Sequence, residues 1–435
     1  MEGEIMQEVD ITSNLKERDS KHLWHPLTQH KVSSEMLPIS KASGVILTDD
    51  AGREYIDGIS SWYTAVYGHC NPYITNKVAA QMQKLDQVVF SGFTHEPAIE
   101  LSEALIKILP QGQQKLFFND NGSTATEIGI KMALQYHHNL GNDRKVMLAF
   151  ENGFHGDTFG AMSVSGLSVY NGAFEDHFIR VERIPVPDGT NNKAILDQLK
   201  SILSKENIAG FIYEPLIQGA AAMKFHDAEG LNAILKLCRR HEVLLVADEV
   251  MTGFGKTGTY FASDYIEEKP DVICMSKALT AGLLPMGLTS CNQKVYDAFY
   301  SDEIEKGLFH GHTYTANPLA CTAALAGIEL LTSEEIQENI QRITESNQEF
   351  VRELKQNQQV LNARSMGVIL AFELHVEMER YGNLRDKLFR FFMDNGLFLR
   401  PLGNTIYIVP PYVTTEEQMT SIYKLLQECI DQFQA

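Results

Sequence analysis

Two residues in this chain stand where a polar group is expensive. Asp248 follows Val243-Leu244-Leu245-Val246-Ala247, and Lys277 follows Val272-Ile273-Cys274-Met275-Ser276. A carboxylate at the end of so apolar a run is costly unless something pairs with it. A protonated pyridine nitrogen would serve, and so would a structural ion pair or a metal ion. Desolvation lowers the pKa of a lysine and leaves a neutral amine suited to Schiff-base formation. Two further segments could serve a bound anion or ring. Asn121-Gly122-Ser123-Thr124 combines a glycine with a helix start, whose free N–H groups attract anions, although Ser or Thr also suits a plain helix cap. Gly153-Phe154-His155-Gly156-Asp157 offers an aromatic that could stack on an electron-poor ring or simply pack in a core. Gly255-Lys256-Thr257 suggests a nucleotide-binding loop, but that pattern needs a glycine where Val250 stands.

The elements that must hold these residues follow from the apolar runs. Lys115–Phe118, Lys145–Phe150, Ile208–Tyr213, Val243–Ala247 and Val272–Met275 are short, apolar and bounded by polar or turn residues, as buried parallel strands are. A helical pattern runs from Thr124 to Tyr136. Alternating strands and helices predict an α/β chain built on a large doubly wound, mostly parallel sheet, and ligands of such sheets bind at the carboxyl ends of the strands. Before this region the stretch to Ser40 reads as irregular, followed by short strands at Val45–Thr48 and Glu54–Ile56 around the turn Asp50-Ala51-Gly52. After it come amphipathic helices at Glu334–Gln356 and Leu384–Asn395, with strands at Val368–Leu374 and Thr405–Val409. The expected division is an N-terminal segment 1–59 joining a small α+β domain at 329–435, with a large domain at 60–328 between them.

Composition narrows the function. The 435 residues carry 37 Lys and Arg against 56 Asp and Glu, a net charge of −19, with 44% hydrophobic and 21% charged residues. That is a well-cored chain poorly suited to nucleic acid or anionic lipid. No apolar run approaches the roughly 18–20 residues that span a bilayer. The opening MEGEIMQEVD lacks the basic and apolar regions of a signal peptide, so a cytoplasmic location is expected. Six cysteines without a CxxC pair read as reduced thiols, and no metal site is expected.

In this order the segments resemble the class III (omega-type) aminotransferases of pyridoxal-phosphate (PLP) fold type I. Ala247-Asp248-Glu249-Val250-Met251-Thr252-Gly253-Phe254-Gly255-Lys256-Thr257-Gly258, Ser276-Lys277-Ala278-Leu279 and His310-Gly311-His312-Thr313-Tyr314-Thr315-Ala316-Asn317 carry the likeness, which spans almost the whole chain. It implies a pyridoxal phosphate cofactor bound covalently by the catalytic Lys277. Asp248 would face the pyridine nitrogen, with Val250 and Phe154 on the two ring faces and Gly122 and Ser123 at the phosphate. His155 and His312 would belong to the cofactor site. Thr313 would reach the phosphate across the interface of a homodimer. Leu23-Trp24-His25-Pro26, Ser60-Ser61-Trp62, the segment Asn152 to Ser163 and the segment Leu399 to Pro411 are similar to the branch of the class acting in biotin synthesis. That branch implies Arg400 as the carboxylate-binding residue, a bidentate arrangement that suits the chemistry, with Trp62, Phe154, Asp157, Gly311 and Tyr407 around the substrate. The expected reaction passes an amino group from S-adenosylmethionine to 8-amino-7-oxononanoate. Leu27 and Phe154 stand where the family pattern has tyrosines, which leaves lysine open as donor. An omega-aminotransferase for a diamine or omega-amino acid, or a non-enzymatic PLP-fold scaffold, are the alternatives.

Overall fold

The computed structural model describes residues 14–33, 36–167, 171–376 and 383–433. Its centre is a seven-stranded sheet in the order Gln113–Asn119, Gly287–Asn292, Val272–Met275, Leu244–Asp248, Ile208–Tyr213, Val146–Phe150, Val181–Ile184. The Gly287–Asn292 strand runs antiparallel to both neighbours, and the other paired strands are parallel. The chain is therefore α/β with a large, mostly parallel sheet, as the apolar runs predict.

Both faces of the sheet are covered, and the sequence shows why the strands are apolar throughout. Leu244, Val246, Val272 and Cys274 pack into one core with Ile128, Met132 and Ala133 of the helix Gly122–Asn139. Leu245, Ala247, Ile273 and Met275 point the other way, into a core shared with Leu231, Ile234 and Leu235 of the helix Ala228–Arg240. Alternate residues thus serve opposite layers, so a polar side chain is tolerated only where a strand ends. The helix Gly122–Asn139 lies very close to the sheet. A Cβ on Gly129 would come within 2.9 Å of Cys274 Sγ and 3.0 Å of Val246 Cγ1.

Three smaller sheets lie outside the central one among the described residues, the least of them the antiparallel pair Ile217–Gln218 and Lys224–Phe225. Val360–Met366, Ile369–Leu374 and Thr405–Ile408 form an antiparallel sheet. Ile39–Ser43, Ile46–Asp49 and Glu54–Asp57 form another, joined at its edge by Leu397–Phe398, which pairs parallel to Glu54–Asp57. The N-terminal strands are thus completed by a strand from near the far end of the chain.

Several expectations need correction. The stretch before Ser40 is not all irregular: Leu15–His22 is a helix, capped by the Asn14 side chain accepting the Lys16 N–H at 3.0 Å. It buries none of its residues, so it carries no apolar periodicity to betray it. The helix expected from Thr124 to Tyr136 runs from Gly122 to Asn139, and the strands Val181–Ile184 and Gly287–Asn292 went unread. All six cysteines are free, five of them buried. No helix among the described residues is long and apolar enough to cross a membrane.

Replacing Gly129 by Val should wedge the helix away from the strands that carry Asp248 and Lys277. The expected cost is roughly 1–3 kcal/mol, as for other overpacked cores, read as a lower Tm by calorimetry.

Candidate active site

The strand ends meet as the sheet topology requires. Asp248, the last residue of its strand, is buried. Its Oδ2 lies 2.7 Å from Nδ1 of the equally buried His155, and its Oδ1 accepts the Val250 N–H at 3.1 Å. His155 is held in turn by its own N–H, which donates to Ser165 Oγ at 2.9 Å. Histidine thus steadies the carboxylate from the protein side, and its loop places His155 directly against Asp248.

Lys277 sits two residues beyond the end of its strand rather than at it, because Ser276 turns the chain into a short 3-10 segment, Lys277–Thr280. The lysine backbone is left-handed, with φ of +52°. Its Nζ lies 4.9 Å above the ring of Tyr63, and burial lowers its pKa while Asp248 and Glu214 pull it back up. Gly282 makes this approach possible. At φ of +76° its missing Cβ would lie 3.0 Å from backbone atoms of Thr64 and Ala65.

The loop after the Val146–Phe150 strand folds over the start of the helix Gly122–Asn139. The Asp157 N–H donates to Ser123 Oγ at 3.1 Å, while the Asp157 side chain is exposed. Gly156, at φ of +130°, lets the loop cross: a Cβ there would lie 2.2 Å from Ser123 Oγ. Phe154 leaves 45% of its surface accessible, so it is not a core residue. Asn121 caps the helix, accepting the Thr124 N–H at 3.0 Å, which leaves the first helical amides, Gly122 and Ser123, without intrahelical partners. A Cβ on Gly122 would lie 2.9 Å from Val250 Cγ1, so these two residues sit edge to edge.

Sequence reasoning missed two members of the site. Glu214, directly after the strand Ile208–Tyr213, is buried and accepts the Phe154 N–H at 3.1 Å and the Gly219 N–H at 2.9 Å. Burial pushes its pKa up to about 7, with Asp248 adding to the rise and His155 opposing it. Its signal was the one that marks Asp248, a carboxylate closing an apolar strand. Tyr63 is the other. Its hydroxyl donates to the Tyr407 hydroxyl at 3.0 Å, and burial raises its pKa well above the ordinary value.

Arg400 and Trp62 are brought together by the parallel pairing of Glu54–Asp57 with Leu397–Phe398. The Arg400 guanidinium lies 4.8 Å above the Trp62 ring, a cation–π geometry. Arg400 is exposed and Trp62 is 42% accessible. Both side chains keep a face open. Trp62 belongs to the helical turn Ser60–Tyr63, which winds left-handed, with φ of +48°, +45°, +70° and +71° along it. Left-handed turns of L-residues cost about 1–2 kcal/mol per residue and are characteristic of functional sites.

Gly311, His312 and Thr313 are not drawn into this cluster. Gly311 and Thr313 are exposed; the Thr313 carbonyl accepts from Gln87 Nε2 at 2.9 Å, and His312 N–H donates to Thr315 Oγ1 at 3.0 Å. Leu27 is 70% accessible and left-handed, at φ of +53°. Lys256, from the discarded nucleotide-loop motif, is fully buried and donates to the Gly253 carbonyl at 2.5 Å. Burial, with Lys277 nearby, takes its pKa down to about 7.

The arrangement fits pyridoxal phosphate. A fixed carboxylate, a desolvated amine, an open aromatic face and two free helix-start amides converge, and the glycines at 122, 156 and 282 leave the space that side chains would fill. Fold and site together define a pyridoxal-phosphate-dependent enzyme of fold type I. Residues 28–430 match the family described as aminotransferase class-III, and the chain belongs to it. An adenosylmethionine-8-amino-7-oxononanoate aminotransferase from Synechococcus elongatus is 39% identical over 420 residues, covering 94% of this chain and 99% of that one. The crystal structure of the enzyme of that name from Methanocaldococcus jannaschii superimposes with a TM-score of 0.91 at 33% identity, covering 96% of this chain and 98% of the other. An amine transaminase from an uncultivated Pseudomonas species, solved in its PLP-bound form, is similar at TM-score 0.88 and 27% identity, covering 94% and 98%.

Glu214 gives the site a pH signature. A carboxyl whose folded pKa of about 7 exceeds its usual 4.5 holds its proton more tightly folded than unfolded. The stability this confers is complete below the unfolded value and is lost as pH rises through the folded one. Between about pH 4.5 and 7, Tm of the wild type should therefore fall relative to Glu214→Gln as pH rises. A Tm difference that stays flat across that window would refute the shift.

Proposed function

We propose that this chain passes an amino group from S-adenosylmethionine to 8-amino-7-oxononanoate, giving 7,8-diaminononanoate for biotin synthesis. The observation that carries the substrate reading is the Arg400 guanidinium stacked on Trp62 with a face of each left open, on a turn whose next residue, Tyr63, supports Lys277. Both substrates bear a carboxylate, and a guanidinium fork receives a carboxylate in a bidentate manner. Trp62 gives the apolar chain of the oxo acid a wall.

Pyridoxal phosphate, when bound, supplies an electron-withdrawing ring that takes up the charge left as the amino-bearing carbon loses its proton. The chain's own residues do the rest. Lys277 Nζ, whose pKa burial lowers, is the base that removes that proton and the acid that returns one. Asp248 holds an anion where a protonated ring nitrogen would sit, and His155 fixes its orientation. Phe154 and Val250 form the two walls of the ring slot, and the Gly122 and Ser123 amides take the phosphate. Asp157 and Tyr407 border the substrate side.

The working unit in this reading is a homodimer in the cytoplasm. The segment that includes Thr313 supports it: Phe309 is 72% and Tyr314 63% accessible, an apolar strip beside an exposed threonine. A second copy would cover that strip, and Thr313 would reach the phosphate of the partner, with His312 at the cofactor and Gly311 at the substrate.

Lys277→Ala should abolish turnover and remove the site of borohydride fixation while leaving the fold intact by circular dichroism. Arg400→Ala should raise KM for both substrates roughly ten- to a hundredfold, the worth of about 1.5–3 kcal/mol of charged hydrogen bonding, with the visible absorption of the bound cofactor unchanged. Near-normal KM values in Arg400→Ala would overturn the substrate assignment. Mixing the holoenzyme with each amine in a single turnover identifies the donor. S-adenosylmethionine should bleach the visible band, and bleaching by lysine in its place would replace it as donor.

A further inference from the structure

The left-handed turn Ser60–Tyr63 contains no glycine, so nothing in its own sequence favours that winding. Something outside it must hold it. Its backbone bonds are those of one helical turn of the wrong hand: the Tyr63 N–H donates to the Ile59 carbonyl and the Thr64 N–H to that of Ser60, both at 2.8 Å. Its side chains are tied to fixed points. The Ser60 hydroxyl donates to the Val409 carbonyl at 2.7 Å. The Ser61 hydroxyl donates to Asp57 Oδ2 at 2.8 Å, and His69 Nε2 lies 2.8 Å from the same oxygen. Asp57 Oδ1 accepts the Ile59 N–H at 3.2 Å. Asp57 is fully buried, and it is the last residue of the strand that pairs with Leu397–Phe398, two residues short of Arg400.

One carboxylate thus ties together both ends of the device. Through the strand pairing it sets where Arg400 emerges. Through Ser61 it sets the turn that carries Trp62 to Arg400 and Tyr63 to Lys277. We propose that Asp57, acting through Ser61 and braced by His69, is a positioning residue that latches the left-handed turn and so sets the Trp62–Arg400 geometry. Its consequence for turnover rests on the reading of Arg400 as the carboxylate site. Neither Asp57 nor Ser61 touches substrate in this account; both act through Trp62 and Tyr63.

The test uses Ser61, because removing the buried Asp57 carboxylate risks the fold. Ser61→Ala deletes the latch and keeps the left-handed penalty. Ser61→Gly deletes the same hydroxyl but removes the penalty, since glycine adopts positive φ freely. The chain has two tryptophans, so in a Trp24→Phe holoenzyme the intrinsic emission reports Trp62 alone. Ser61→Ala should shift that emission as Trp62 leaves the guanidinium, and should raise KM for the carboxylate substrates about tenfold. Ser61→Gly should restore the emission and most of the KM. The proposal is overturned if Ser61→Ala emits as the wild type does, or if Ser61→Gly is as impaired as Ser61→Ala. Shifted emission in Ser61→Ala with unaltered KM would keep the latch and overturn Arg400 as the carboxylate site.

Discussion

A carboxylate at the end of the central strand of a covered sheet is the constraint on which this molecule turns. Asp248 cannot be left alone among Leu244, Leu245, Val246 and Ala247. The chain answers with two fixed partners, the His155 ring and the Val250 amide, at the place where strand ends open toward a ligand. The neighbouring features serve that choice. The loop bearing His155 must cross the helix start, which requires Gly156. The same loop is anchored by Glu214 through the Phe154 amide, which orients the aromatic beside the slot. The low-polarity surroundings that make Asp248 costly also lower the pKa of Lys277.

The substrate side obeys a different economy. Trp62 and Arg400 come from two chain segments more than three hundred positions apart, joined by two pairs of residues in one short parallel ladder. Trp62 and Arg400 leave that ladder from adjacent strands and meet face to face. The same turn that brings Trp62 to Arg400 sets Tyr63 against Lys277, so one helical turn joins the two ends of the site.

How much of this was legible beforehand follows from where each residue's constraint originates. Asp248 and Lys277 were readable because a polar residue closing an apolar strand violates a local rule, and such violations mark function. Glu214 breaks the same rule, but the Glu214-Pro215 pair reads as an ordinary turn and hides it. The left-handed turn at Ser60–Tyr63 was not legible, because its local preference is right-handed and its stabilising bonds come from Asp57 and Val409. The family resemblance places His155 in the cofactor loop, and the fold adds its contact with Asp248, which no local pattern announces. The helix Leu15–His22 escaped because it buries nothing, so its side chains carry no pattern to read.

The central claim is that Asp248, steadied by His155, keeps a negative charge against the ring nitrogen of the bound cofactor. Nitrogen-15 NMR of the enzyme loaded with ring-labelled pyridoxal phosphate tests it most directly. The chemical shift should be that of a protonated ring nitrogen throughout the neutral pH range, and Asp248→Asn should move it to the unprotonated value. A wild-type ring nitrogen that is already unprotonated at neutral pH would contradict the account.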